Sequence, residues 1–291
     1  IEKLMEAGST GKKKILENPI IGSLVVPVAI ILVGALIIFG VTKMLSSDRS
    51  YKDLVRELHS KTFGNRWVAA YELSKLISTS SIPEEDVPWL VGNLDELYKS
   101  AQDARTRDFI VVAMGALKSD LSIPVLTQAV SDIDPNVRFH AVIALSENKL
   151  GVETNKTLLL NLLNLEDEAV KQAAIFTLAM HKIPEVEEKL VKLQSSQSVS
   201  IRYAAATGLI SFQNIAARET LEEILTMSSR PALDAAFNES KVIGLKMNVL
   251  KSLRKTQWNV LNELIERLIP VEQNLGVVSE MRETVNQLKK R

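Results

Sequence analysis

The sequence contains no cysteine. That excludes disulfide staples, thiolate nucleophiles and Cys-based metal sites, and it leaves the compartment open. Histidine is almost as scarce. His59, His140 and His181 form no H-x-x-x-H or H-E-x-x-H pair, so the ligand spacing of a zinc hydrolase is missing. There is no G-x-S-x-G elbow and no G-x-x-x-x-G-K-[ST] loop. GSTGKKK at Gly8–Lys14 has the residue types of a phosphate loop, but it lacks the spacing and precedes an apolar run rather than following a strand. Aromatics are only 5% of the chain against 46% apolar residues, so any core rests on Leu, Ile, Val and Ala. That balance favours packed helices over a β-sandwich. Nor is one sign of charge in excess. The 35 basic and 35 acidic residues cancel, which removes the global pull toward nucleic acid. The expectation is a chain with no catalytic, cofactor-binding or metal-ligating residues, and with neither nucleic acid nor a small-molecule substrate as partner.

What is present begins with a stretch free of charge. Between Glu17 and Lys43 lie 25 residues without an ionisable side chain, NPIIGSLVVPVAIILVGALIIFGVT. The strongly apolar part runs from Ile20 through Val25, Ile31 and Leu36 to Val41. As a helix it would span roughly 33 Å, enough for a hydrocarbon core. Pro27, Gly22, Gly34 and Gly40 are tolerable in a lipid-embedded helix. A cleaved signal peptide and a buried soluble helix are the alternatives. The run exceeds a usual signal core, and FGVTK lacks small residues at A-x-A spacing. The expectation is therefore an N-terminal tail over 1–18 and one transmembrane helix over 19–43 in contact with the bilayer, in a bacterial inner membrane. Lys12, Lys13 and Lys14 before the run nearly balance Lys43, Arg49, Lys52 and Arg56 after it. The clustered lysines lean toward a tail inside and the rest of the chain on the extracytoplasmic side, and the orientation stays open.

Behind that run one phrase is written repeatedly: NRWVAAYEL from Asn65, TRDFIVVAMGAL from Thr106, DPNVRFHAVIAL from Asp134, EAVKQAAIFTL from Glu168 and SIRYAAATGL from Ser200. SKVIGLKMNVL from Ser240 is a looser sixth copy. The basic residues Arg66, Arg107, Arg138, Lys171, Arg202 and Lys241 are spaced by 41, 31, 33, 31 and 39 residues. Periods of this size mark stacked supersecondary units. Each phrase has apolar or small residues at helical spacing, such as Val137, Ala141, Ala144 and Leu145. A second helical segment precedes several of them, as in IPVLTQAVSD, TLLLNLLNL and VEEKLVKLQ. Pro124, Pro135, Pro184 and Ser/Asn/Asp clusters mark the turns.

A helix pair whose second helix reads V-R-x-x-A-x-x-A-L resembles the HEAT repeat family. DPNVRFHAVIAL matches best, SIRYAAATGL closely, and EAVKQAAIFTL puts Lys171 where the pattern has Arg. The resemblance covers roughly Ser50 to Leu253, with firm repeats from about Pro124 to Ala217. It implies an all-α, right-handed helical solenoid of about five to six helix pairs over 44–255, used as a scaffold or binding surface. The basic ladder fits pairing with acidic or carbonyl groups of adjacent repeats better than a ligand stripe, with Asp134, Glu166, Asp167 and Glu168 in suitable turns. Unpaired, it would suit phosphate or anionic lipid. Trp67, Trp89 and Trp258 are expected as fillers between helices. Residues 256–291 are expected as capping helices, since Val278, Met281, Val285 and Leu288 give the last one a single apolar stripe.

The expected function is that of a non-enzymatic accessory subunit or scaffold that binds an integral membrane protein complex of transporter or secretion type. A tether recruiting a soluble protein or peptide is the alternative. HEAT-like chromophore lyases and DNA-base glycosylases are the enzyme-linked versions of the resemblance. The first needs reactive groups the sequence lacks, and the second needs a basic groove.

Overall fold

A computed structural model describes residues 49–59, 66–227 and 238–289. The expected membrane span, from Ile20 through Val25, Ile31 and Leu36 to Val41, lies outside these residues. Among the described residues no helix is long and apolar enough to cross a membrane. Two compact units make up the chain, Ile1–Asp53 and Leu54–Arg291. In the first, the Ser50 hydroxyl donates to the Asp53 carboxylate at 2.7 Å, and the Asp53 N–H donates back to Ser50 Oγ at 3.2 Å. That reciprocal pair starts helix α1, Tyr51–Leu58.

The second unit is a stack of helices in which a first and a second helix alternate. The first helices are α3 (Val87–Ser100), α5 (Ile123–Ala129), α7 and α8 (Lys149–Thr154 and Lys156–Leu162, one broken element), α10 (Pro184–Leu193) and α12 (Arg218–Thr226). The second helices are α2 (Arg66–Thr79), α4 (Ala104–Leu117), α6 (Pro135–Ser146), α9 (Glu168–Met180), α11 (Val199–Leu209) and α13 (Glu239–Thr256). Two more helices follow, α14 (Asn262–Leu268) and α15 (Leu275–Lys289). All the regular structure among the described residues is helical, and the arrangement is a repeat solenoid.

The turns explain why each second helix starts where it does. Asp103, Asp134, Asp167, Ser198 and Asn238 stand immediately before α4, α6, α9, α11 and α13, and each side chain accepts a backbone N–H of the first turn. Such caps satisfy donors that a helix cannot pair internally.

Packing follows a fixed register. Three residues after each basic position lie Ala69, Ile110, Ala141, Ala174 and Ala205, and seven after it lie Leu73, Met114, Leu145, Leu178 and Leu209; all are fully buried. Consecutive second helices α2, α4, α6, α9 and α11 pack directly on one another through these positions. Alanine at one turn lets the backbones approach on every helix but α4, which has Ile110 there, and a large side chain at the next turn fills the gap. α4 and α6 come close at Gly115, where a Cβ would stand 2.6 Å from Ala144 Cβ.

The register changes at α13. Its buried positions are Val242, Lys246, Val249, Leu250 and Leu253, which places Ile243 rather than Lys241 at the ladder position. Lys246 then occupies the site of the usual alanine. Its side chain is 3% exposed, and its ammonium lies 2.6 Å from Glu272, whose side chain is 5% exposed. This pair fastens α13 to the segment leading into α15. Arg254 adds a link to Glu280 at 3.0 Å and another to Glu283. From Ser279 onward the outward positions of α15, Ser279, Arg282, Glu283, Asn286, Gln287 and Lys289, are all polar. The inward stripe Val278, Met281, Val285 and Leu288 is buried, and after Leu275, exposed at the helix start, no large apolar side chain of α15 faces outward.

Candidate functional site

The basic ladder is consumed by the fold at three of its rungs. Arg107, Arg138 and Arg202 each turn back so that Nη1 donates to the carbonyls six and five residues upstream. The acceptors are Ala101 and Gln102, Asp132 and Ile133, and Ser196 and Gln197, at 2.9–3.3 Å. These carbonyls follow the first helix of the same repeat, so each guanidinium closes the turn between two helices. Two rungs also reach forward. Arg107 Nε and Nη2 donate to the two oxygens of Asp132 at 2.8 and 2.9 Å. Arg138 Nη2 donates to Asp167 Oδ2 at 2.9 Å. Lys171 is half-buried and makes neither kind of contact among the described residues. A lysine cannot fork its charge to two carbonyls and a carboxylate together. Arg66 opens α2, and Lys241 is exposed on the first turn of α13.

Sequence reasoning missed Asp132 and Tyr98, which complete the Arg107 cluster. The Tyr98 hydroxyl donates to Asp132 Oδ2 at 2.8 Å, and the Asp134 N–H donates to Oδ1 at 2.9 Å. Burial pushes the Asp132 carboxyl up, but bonds from Arg107, Asp134 and Tyr98 outweigh it and hold the group below its ordinary range. Tyr98 is raised, first by burial and then by its bond to Asp132. The only advance signal was the pair of aspartates two residues apart in SDIDPN.

All three histidines bind a group more than thirty residues away. His59 Nε2 lies 3.2 Å from Asn93 Oδ1, His140 Nδ1 2.6 Å from Asp108 Oδ1, and His181 Nε2 2.7 Å from the Ser146 carbonyl. The Asp108 bond raises the His140 pKa against the opposing effect of burial.

What remains free is a face of the second helices. Trp67 and Tyr71 on α2, Ile143 on α6, and Phe176 and Met180 on α9 are large apolar side chains exposed to between 38% and 50%. Trp67 and Trp89, expected as fillers, are thus open to solvent, while Trp258 is buried. Neighbouring repeats connect along the same face. Tyr71 meets Phe109 of α4 edge-on, with ring centroids 5.3 Å apart, and the Arg105 guanidinium stands 5.8 Å from the Trp67 ring.

At α9 this face deepens into a groove. α13 packs chiefly on α15 and only lightly on α11, so the row of second helices opens between them. Two cavities, of about 500 Å³ and 370 Å³, occupy the opening and share Phe176, Thr207 and Asn248 in their walls. Lys182, Lys251 and Lys255 line the larger and Lys241 the smaller, and no carboxylate lines either. Gln213 closes one end by donating to the Thr256 carbonyl at 2.7 Å. The signal for this groove was in the sequence of α13, where Lys241, Asn248, Lys251 and Lys255 recur at intervals of seven, three and four. It was obscured because Lys241 looked like another rung of the ladder.

Residues 155–240 match a family model described as HEAT repeats. No curated protein shows a significant sequence match to the chain. Among solved structures, YibA of E. coli is similar with a TM-score of 0.53 and 13% identity, over 84% of each chain. The complex of CpcE and CpcF of phycocyanin lyase from Nostoc sp. PCC7120 is similar with a TM-score of 0.53 and 15% identity. That match covers 82% of this chain and 94% of the other. At these identities the likeness is one of fold. The repeat register, the capped turns and the family match agree: residues 155–240 match HEAT repeats, and the described residues stack into an all-helical repeat solenoid.

Proposed function

We propose that the protein is a non-enzymatic scaffold, an accessory subunit held at a membrane by residues 19–43, whose second helices bind an integral membrane protein complex of transporter or secretion type. The observation that carries this reading is the run of exposed apolar side chains from Trp67 and Tyr71 to Phe176 and Met180. Rings and aliphatic chains of this size are anchors of protein interfaces when they lie on a rigid face. The solenoid supplies that rigidity, because Leu73, Leu145 and Leu178 lock the same helices from behind. A membrane span would hold the face beside its partner and raise the effective concentration of the contact. The commitment of His59, His140 and His181 to groups in other parts of the stack supports a role in binding over one in catalysis.

A second reading is a tether that recruits a soluble protein or peptide. The groove beside α13 favours it, because cavities of this size suit one inserted segment better than the broad flank of a subunit. Photocrosslinking separates the two. A benzophenone amino acid at Tyr71 or Phe176 should trap an integral membrane protein in intact cells, whereas one at Lys189 on α10 should trap none. Crosslinks only to soluble proteins would favour the tether, and no crosslink from either position would refute both.

A further inference from the structure

The groove between α11 and α13 has a chemistry of its own. Its floor is apolar, with the large side chains Phe176 and Met180 beside Ala179 from α9 and Gly208 from α11. Its basic side chains are Lys182 on one wall and Lys251 and Lys255 on the other. Among the described residues none of these three ammonium groups has a side-chain hydrogen bond or ion pair. They differ in this from Lys246 and Arg254 of the same helix, which are tied to Glu272 and to Glu280 and Glu283. Two of the basic side chains of α13 are thus neutralised inside the fold, while Lys251 and Lys255 present positive charge to a recess lined by no carboxylate.

The walls limit what can occupy it. They come almost entirely from helices, whose backbone N–H and C=O groups are bonded within themselves, so an extended peptide would find no main-chain ladder to join. Binding must come from side chains, which is how an amphipathic helix docks, with apolar anchors at i, i+3, i+4 and i+7. Length agrees as well. Lys241 and Lys255 are 14 residues apart on α13, roughly 21 Å at 1.5 Å per residue, or about four turns of a docked helix. A bilayer surface is the weaker match, because lipid contact favours apolar side chains that protrude beyond a basic rim. Here Ala179, Thr207 and Gly208 line a recess.

We infer that this groove is a docking site for an amphipathic helix of a partner protein that carries acidic residues along both edges of its apolar stripe. This deepens the reading of the second helices as a protein-binding face, which both proposed roles share, and rests on it. The test is selection from a displayed library of amphipathic helices. The apolar stripe is fixed, and Glu, Gln and Lys are equally represented at the flanking positions. The target is the full-length chain in detergent micelles. Wild type should enrich Glu at the flanks. A selected acidic peptide should lose at least about tenfold in affinity on the Lys251→Glu/Lys255→Glu variant, and its binding should weaken with added salt. Selection on that variant should enrich Lys in place of Glu. Phe176→Ser should weaken the same peptide without changing the charge preference.

Both lysines are exposed and make no side-chain bond, so the double variant should retain the helical circular dichroism of wild type. Enrichment without charge preference would overturn the inference, as would an acidic peptide that binds the lysine variant equally well. So would failure to enrich peptides while phosphatidylserine-containing vesicles, but not phosphatidylcholine vesicles, bind through Lys251 and Lys255. If Tyr71 crosslinks survive the lysine reversal while peptide selection fails, the groove inference falls and the scaffold reading stands.

Discussion

Replacing Asp132 by alanine should be among the most damaging single changes to the stack. The carboxylate takes four hydrogen bonds, two from Arg107, one from Tyr98 and one from the Asp134 backbone. The Asp132 side chain is 6% exposed and that of Arg107 13%. Alanine removes every acceptor at once and leaves a guanidinium and a phenol with little water to replace them. Breaking one side of such a buried pair costs about 3–5 kcal/mol. The Arg107 Nη1 bonds to Ala101 and Gln102 survive, so the lower end of that range, about 3 kcal/mol, is expected. Removing both charges together is a different experiment. Arg107→Met with Asp132→Leu strands no charge and should recover most of the loss, since apolar replacement of a buried pair is often close to neutral. Glu147→Ala is the control, because its pair with Lys118 is exposed on both sides (49% and 65%) and is worth less than about 1 kcal/mol. The assay is urea unfolding of the detergent-solubilised chain followed by far-UV circular dichroism. The reasoning would be refuted if Asp132→Ala cost no more than Glu147→Ala, or if the double variant were as unstable as Asp132→Ala.

Gly115→Ala should destabilise the same part of the stack by about 1–3 kcal/mol, because the new Cβ would meet Ala144 Cβ and force α4 and α6 apart; thermal unfolding reads it, and an unchanged midpoint would show that the helices can separate freely. His140 should make stability depend on pH. Its bond to Asp108 raises the folded pKa, so the contribution is fully present below the unfolded value near 6.5 and is lost as pH rises through the folded value. A His140→Gln variant should therefore differ most from wild type in acid and converge with it in alkali, and the opposite trend in a pH series of unfolding midpoints would contradict the assignment. Asp132 runs the other way, with its stabilisation present above the ordinary carboxylate pKa and lost as pH falls through the lowered folded value. Wild-type protein should stay in the pellet when membranes are washed with alkaline carbonate, and deletion of 19–43 should release it; retention of the deletion variant would assign membrane attachment to another part of the chain.

The fold was legible because solenoid packing repeats its demands. Four of the five stacked second helices have alanine three positions after the basic residue, α4 having Ile110 there, and all five have a large residue seven positions after it. Ala141/Leu145 and Ala205/Leu209 therefore announced the architecture in local sequence. Caps were legible for the same reason, since Asp134, Asp167 and Ser198 lie within a turn of the donors they satisfy. The site was less legible because it depends on where the repetition stops. Lys246 on the buried side of α13 and Lys251 on the open side are five residues apart and chemically identical. Only the shift of register, with Glu272 beneath one of them, distinguishes a structural lysine from an available one. Trp67 and Trp89 were misread for a related reason. Aromatic rings serve equally as core and as interface, and the phase of the helix decides between them.

The central claim is that the exposed face of the second helices holds this chain to a membrane protein complex. It is tested most directly by mild-detergent extraction from native membranes and mass spectrometry of what co-purifies, comparing wild type with a Tyr71→Ser/Phe176→Ser variant. One integral complex at fixed stoichiometry is expected with wild type, and its loss from the variant, with helical content unchanged. A wild-type chain that comes out alone, or a variant that keeps the same complex, would contradict it.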